Sequence, residues 1–290
     1  KDAGPWVAKA IEAFRHARPG AGEEREIDRH VAEAYRALAE ERWGALLKLC
    51  EEGLARFKES MGTEEYWLLR SRAPSWPDPA AALDEAIRRR PHFPLALFLR
   101  GTHRPEAERR EAIADLSQAI RIRPRFAQAW SNRGHFRAGS GDLPGAIADY
   151  DEAIRLSPSD PIPLRNRGIA YHLSGNHKRA REDFERLVLQ EPSWAPSYPP
   201  RGICRWDTGD LDGALSDFTT ALGLDPDLVE AWYFRGCVKR LKKMSKDAIA
   251  DFDAALARDP AHLDARFRRA QCLSDLDDLR SALAEYDEVL

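Results

Sequence analysis

Proline stands at positions 124, 158, 192, 226 and 260, with 34 residues between successive members. Glycine keeps the same interval at 134, 168, 202 and 236, and Ala270 fills the next slot. Tyr150, Phe184, Phe218, Phe252 and Tyr286 form a third column, and Ala146, Ala180, Ala214, Ala248 and Ala282 a fourth. One period held by four columns restricts the chain to a repeat architecture. Each unit is then one supersecondary piece, and neighbours must stack to close a core.

The unit is legible from Ala127 to Asp160. "AWSNRGHFRAGSGD" spaces Trp130, Gly134 and Arg137 as one face of a helix. Gly139 and Gly141 supply helix-stop chemistry, Asp142 can cap a second helix, and Pro144 falls in that helix's first turn. "AIADYDEAIRL" then puts Ala146, Ile147, Tyr150, Ala153 and Ile154 on an apolar face with a period near 3.6, and Pro158 ends it. Each unit is a helical hairpin, with small residues where the helices approach closely.

The 34-residue period, the early aromatic (Trp130, Tyr198, Trp232), the glycine column and the Ala–aromatic–Ala–Pro series resemble the tetratricopeptide repeat. The resemblance implies an all-α fold, a right-handed superhelical solenoid of antiparallel helix hairpins. It is strong over 93–290: a shortened unit at 93–126, full units at 127–160, 161–194, 195–228 and 229–262, and a truncated one at 263–290. Residues 28–92 read as degenerate hairpins. Residues 1–27 read as an amphipathic helix ("PWVAKAIEAFRHA") and a turn or linker ("RPGAGEERE"). The chain starts without Met and stops inside a helical pattern, so a piece of a longer protein is expected.

A paired column goes beyond the minimal repeat. Arg100, Arg133, Arg167, Arg201, Arg235 and Arg269 precede the Gly/Ala column. Asp115, Asp149, Asp183, Asp217, Asp251 and Glu285 precede the aromatic column. An arginine beside an inward-facing glycine is at least half-buried, and a buried arginine is tolerated only when paired. Arg–carboxylate bridges within each hairpin or to its neighbour are predicted, acting on helix register more than on net stability.

Little in the sequence points to catalysis. P-loop, zinc-protease and nucleophile-elbow motifs are absent, and the glycines of "GSGDLPG" follow a helix and belong to the repeat. Cys50, Cys204, Cys237 and Cys272 show no metal-ligand spacing and read as small buried side chains in a reducing, cytoplasmic setting. No catalytic residue, cofactor or metal is assigned. No apolar run is long enough to span a membrane. A net charge of −3 gives no global pull toward nucleic acid or membranes. Charge is uneven, however: residues 86–137 carry twelve arginines and four acids, while 207–290 carry eighteen acids and eleven bases. The basic ends "RRRPHF" and "RIRPRF" read either as favourable placement at helix C-termini or as attraction for an acidic or phosphate-bearing partner. No motif of nucleic-acid recognition accompanies them.

In stacked hairpins the first helices line the concave side, where arrays of the resembled family bind peptides. The exposed stripe is expected at Ser131, His135 and Ala138; Arg165, Ile169 and His172; Pro199, Ile203 and Trp206; Tyr233, Cys237 and Arg240; and Phe267, Gln271 and Ser274. Asn132 and Asn166 match one component of the family's carboxylate clamp, but its Lys and second Asn are missing from the stripe. The expected contact residues are therefore Asn132, His135, Arg165, Asn166, His172, Trp206, Tyr233, Arg240 and Phe267. The leading reading is a protein–protein interaction scaffold, non-enzymatic, that takes a partner peptide in this groove. A regulatory or targeting region of a larger bacterial enzyme, such as a serine/threonine kinase, is a second reading. A self-associating homo-oligomeric array is a third.

One slot breaks the pattern. Pro196, Pro199 and Pro200 crowd the opening of the 195–228 unit, where other units carry "FAQAWSN" or "LVEAWYF". Proline is accommodated only in a helix's first turn. This first helix should start near Pro199, about one turn short, with Ser197 or Tyr198 at the cap. Either the irregularity is merely tolerated, or it cuts a notch beside Trp206.

Overall fold

The computed structural model describes residues 23–56, 64–74 and 78–289. Among the described residues there are sixteen α-helices and no strand. The chain divides into two compact units, 1–140 and 141–290.

In the first unit, α1 (Glu23–Ala39) pairs with α2 (Trp43–Arg56), α3 (Glu64–Arg70) with α4 (Pro79–Arg89), and α5 (Pro94–His103) with α6 (Arg109–Ile122); α7 (Ala127–Gly139) packs on α6. The helix read over 5–17 lies outside the described residues, and the linker read over 18–26 is already helical from Glu23. Helix α5 ends before Pro105, and a 3₁₀ turn (Glu106–Glu108) leads into α6. The α1–α3 core closes on Tyr35, Leu46, Tyr66 and Leu69. A carboxyl lies beside it: the Tyr35 hydroxyl donates to Glu65 at 2.5 Å. Burial pushes Glu65 up to about 7, against the lowering pull of Tyr35 and Arg90.

The second unit opens with α8 (Leu143–Leu156). Hairpins then follow: α9 (Pro161–Leu173) with α10 (His177–Gln190), α11 (Tyr198–Asp207) with α12 (Leu211–Leu224), α13 (Val229–Leu241) with α14 (Ser245–Arg258), and α15 (Leu263–Asp275) with α16 (Leu279–Asp287). Each second helix also packs on the next first helix, so the hairpins stack. The glycine column exists because the aromatic column fills its space. A Cβ at Gly168 would stand 2.5 Å from Phe184 Cε1, and at Gly202 and Gly236 it would meet Phe218 and Phe252 at 2.9 and 2.8 Å. Ala270 is accommodated opposite Tyr286, which is only half-buried. We expect Gly168→Ala to destabilise the second unit by about 1–3 kcal/mol, the range for overpacking a core, as read by chemical denaturation.

The inter-helix turns keep the period. Gly141, Gly175 and Gly209 adopt φ of 83, 78 and 86°, and Lys243 and Asp277 hold the next two slots at 63 and 62°. This left-handed residue closes the helix end: the following amide donates back to Tyr171, Arg205, Lys239 or Leu273, at 2.8–3.0 Å. The side chains of Asp142, Asn176, Asp210 and Asp278 then cap the second helices. The early aromatic has a polar duty as well. Trp130 and Trp232 Nε1 each donate to the carbonyl of the repeat proline six residues earlier at 2.8 Å, and the Tyr198 hydroxyl does so at 2.7 Å.

The arginine column pairs within hairpins. Arg100 reaches Asp115, Arg167 reaches Asp183, Arg201 reaches Asp217 and Arg235 reaches Asp251, each by a two-pronged fork at 2.5–3.0 Å. Several of these arginines also reach the preceding hairpin. Arg100 donates to Asp84, Arg167 to Asp151 and Arg269 to Asp253, at 2.5–2.7 Å. Arg133 uses Ser117 in the same way at 3.1 Å. Both alternatives left open by the sequence are thus realised by one side chain. Arg133 and its sequence partner Asp149 are divided between the two units; Asp149 is buried. The last pair is imperfect: Arg269 holds Glu285 by one oxygen, and Arg269 Nε and Glu285 Oε2 find no partner among the described residues.

Of the two basic helix ends of the first unit, "RRRPHF" is tied down by carboxylates, whereas Arg121, Arg123 and Arg125 of "RIRPRF" are exposed. Arg88 and Arg89 share Glu85, and Arg90 lies 3.6 and 3.7 Å from Glu64 and Glu65. Among the described residues no helix is long and apolar enough to cross a membrane, and no cluster of side chains could hold a metal ion.

Candidate functional site

The prolines shape the second unit as their chemistry requires. Ala195–Ser197 form a 3₁₀ turn, and α11 runs for 10 residues where α9, α13 and α15 run for 13. Ser197 occupies the cap position, but its hydroxyl makes no cap bond and donates instead to Glu191 O at 3.4 Å. Pro199 and Pro200 sit in the first turn, where a helix has unpaired N–H groups that proline lacks. Trp194 and Tyr198 fill the adjoining space. Trp194 packs on Ile154, Leu164 and Leu187, and Tyr198 on Ala221, Leu222 and Ala231.

Beside the shortened helix is a cavity of about 360 Å³. Its walls come from three first helices, α9, α11 and α13, together with their flanking turns; Phe184 of α10 also contributes. Ile169, Pro199, Pro200, Ile203 and Leu228 make it mainly apolar. Its polar groups are Arg165, His172 and Glu230. Arg165 is half-buried, its guanidinium 6.0 Å over the Trp194 ring, and its Nε is buried with no acceptor among the described residues. His172 is engaged on both ring nitrogens: Nε2 lies 3.1 Å from Asp207 and Nδ1 3.3 Å from His177 Nδ1. Glu230 is exposed. The site can hold an apolar side chain and pair an anion; nothing in it assembles a nucleophile, base and oxyanion donor.

Of the contact residues expected from sequence, Arg165 and His172 line this cavity, and Asn166 is half-buried outside its lining. Trp206, beside which a notch was expected, is not part of the lining; it packs edge-on to Phe234 with centroids 5.9 Å apart. Tyr233 is absorbed among Phe234, Phe252 and His262. Arg240 pairs with Asp275 at 2.9 Å, and Phe267 lies against Tyr286 at 5.5 Å. In the first unit, Asn132 is half-buried and His135 is exposed. Three positions assigned to the exposed stripe are buried: Ser131, Pro199 and Cys237. Cys237 is covered because Ala265 and Cys272 of the next first helix pack against it. Leu228 and Glu230 were not foreseen. They occupy the same repeat slots as Trp194 and Pro196, so the period would have found them.

Comparison with known proteins agrees with this fold. Tetratricopeptide-repeat models match residues 140–175 and 245–290. The chain contains tetratricopeptide repeats. The array superposes on a tetratricopeptide repeat protein from Parabacteroides merdae with a TM-score of 0.66 at 13% identity, over 86% of this chain and 99% of that one. It superposes on the Cut9–Hcn1 hetero-tetramer of APC/C with a TM-score of 0.65 at 18% identity, over 98% of this chain and 56% of the other. Yeast Tom70 gives 0.59 at 17% identity, over 98% of this chain and 65% of the other. At these identities the likeness is one of fold. No functionally curated protein matches the tetratricopeptide array.

Proposed function

We propose that the chain is a non-catalytic protein-interaction module that takes a segment of a partner protein on the face formed by its first helices, with the α9–α11–α13 cavity as the anchoring site. The observation that carries this reading is the cavity itself. Neighbouring first helices lie side by side, α9 beside α11 and α11 beside α13, and shortening α11 by three residues leaves an apolar recess between them. A side chain entering it removes its surface from water, and backbone or polar neighbours then fix orientation.

Panning a random peptide library on the full chain tests the reading. Binders should lose about tenfold or more in affinity toward Ile203→Asp, since a charge in the apolar wall is costly. Ile203 also packs against Phe218 and Val238, so the variant melts lower, and the comparison is made at a temperature where its helical content is that of wild type. Binders that bind Ile203→Asp as well as wild type would count against the cavity.

A further inference from the structure

Resting on the peptide-binding reading, we infer that the segment taken by this cavity carries one acidic side chain next to a large apolar one, with the carboxylate on Arg165 and the apolar group between Ile169, Pro199 and Ile203. The cavity's charges point there. Arg165 is a cation without a carboxylate in ion-pair reach among the described residues, and its buried Nε lacks an acceptor. Arg167, two residues on, has its guanidinium committed to Asp183 and Asp151. Arg165 therefore stands outside the structural ladder although it shares the same helix. Nε itself is covered, so an incoming carboxylate meets the terminal nitrogens of the guanidinium, which hold it by charge-assisted hydrogen bonding.

The other polar walls narrow the choice. His172 is already held at Nε2 by Asp207, so the anion's partner is Arg165. Glu230 puts a negative charge on the α13 side, which disfavours a second acid and argues for a single carboxylate rather than an acidic run. The volume of about 360 Å³ is near the lower end of the roughly 300–1,000 Å³ typical of ligand sites, which suits one large side chain and its flanking backbone.

The test uses fluorescein-labelled peptides taken from the panned set, and their variants, against the full chain. Panned sequences should be enriched in an apolar residue adjacent to Asp or Glu. Replacing that acid by its amide should weaken binding to wild type by about tenfold, the effect of losing a charged hydrogen bond, and should change binding to Arg165→Met by less than about twofold. Arg165→Glu should recover affinity for peptides in which the acid is changed to Lys. Cavity-dependent binders with no acid preference, or with the same amide penalty in Arg165→Met, would overturn this inference and leave the proposed function standing. Binders insensitive to Ile203→Asp, or no binder at all, would overturn both.

Discussion

Arg167→Met should destabilise the second unit by about 3–5 kcal/mol, the cost of leaving one partner of a buried ion pair uncompensated. Asp183 is only 6% exposed and takes two hydrogen bonds from this one guanidinium. With the arginine gone, its charge stays buried beside Phe184 and Ala180, with no second cation ion-paired to it among the described residues. The double replacement Arg167→Met/Asp183→Leu should return most of the loss, because it removes both desolvation penalties and fills the space with apolar atoms. Arg167 also bridges to Asp151 on α8, so the single variant should loosen α8 from α9 and broaden the unfolding transition. Asp217 and Asp251 offer the control. Each has a second cation, Arg205 at 2.9 Å and Lys239 at 2.8 Å respectively. Arg201→Met and Arg235→Met should therefore cost less than Arg167→Met. Urea unfolding followed by circular dichroism checks all four. Equal losses at the three arginines, or a double variant as unstable as the single, would show that the fork fixes geometry without carrying this energy.

The ladder also marks how far the sequence could be read. A fixed period places Arg and Asp on facing helices whatever the side chains between them, so the pairing within hairpins was legible. The bond to the neighbouring hairpin was open as an alternative, but its acceptors were not identified. Its acceptors are chemically mixed, namely Asp84, Ser117, Asp151 and Asp253, and a column of mixed residues does not stand out as glycine or proline does. The left-handed column was hidden for the same reason, since Lys243 and Asp277 replace glycine there. The late start of α11 followed from proline's fixed φ and missing N–H. Which residues would face the resulting gap did not, because that depends on the next helix: Trp206 turns onto Phe234, and Glu230 reaches the cavity from one repeat further on. Face assignments made within one helix fail where a neighbour of uneven size covers part of that face, as at Cys237.

Wild-type stability of the first unit should fall by about 3 kcal/mol as pH rises from about 4.5 to about 7, while Glu65→Gln should stay nearly flat over the same range. Glu65 is 8% exposed between α3 and its packing partners, and burial raises its carboxyl from 4.5 to about 7. The sign follows from proton counting. Between those two values the unfolded chain has released the proton and the folded chain keeps it, so raising the pH favours unfolding. Each unit of displacement is worth about 1.4 kcal/mol, which sets the size of the effect. Above about 7 the folded form also ionises and the loss levels off. Gln keeps an oxygen for the Tyr35 hydroxyl, so the variant retains that hydrogen bond and loses only the titration. Comparing pH 5 with pH 8 within each protein cancels any fixed cost of the amide near Arg90, which lies 3.7 Å from Glu65. Thermal melts at the two pH values decide the matter. A wild-type curve as flat as the variant's would mean that Arg90, half exposed at the rim, swings in far enough to hold the carboxylate charged.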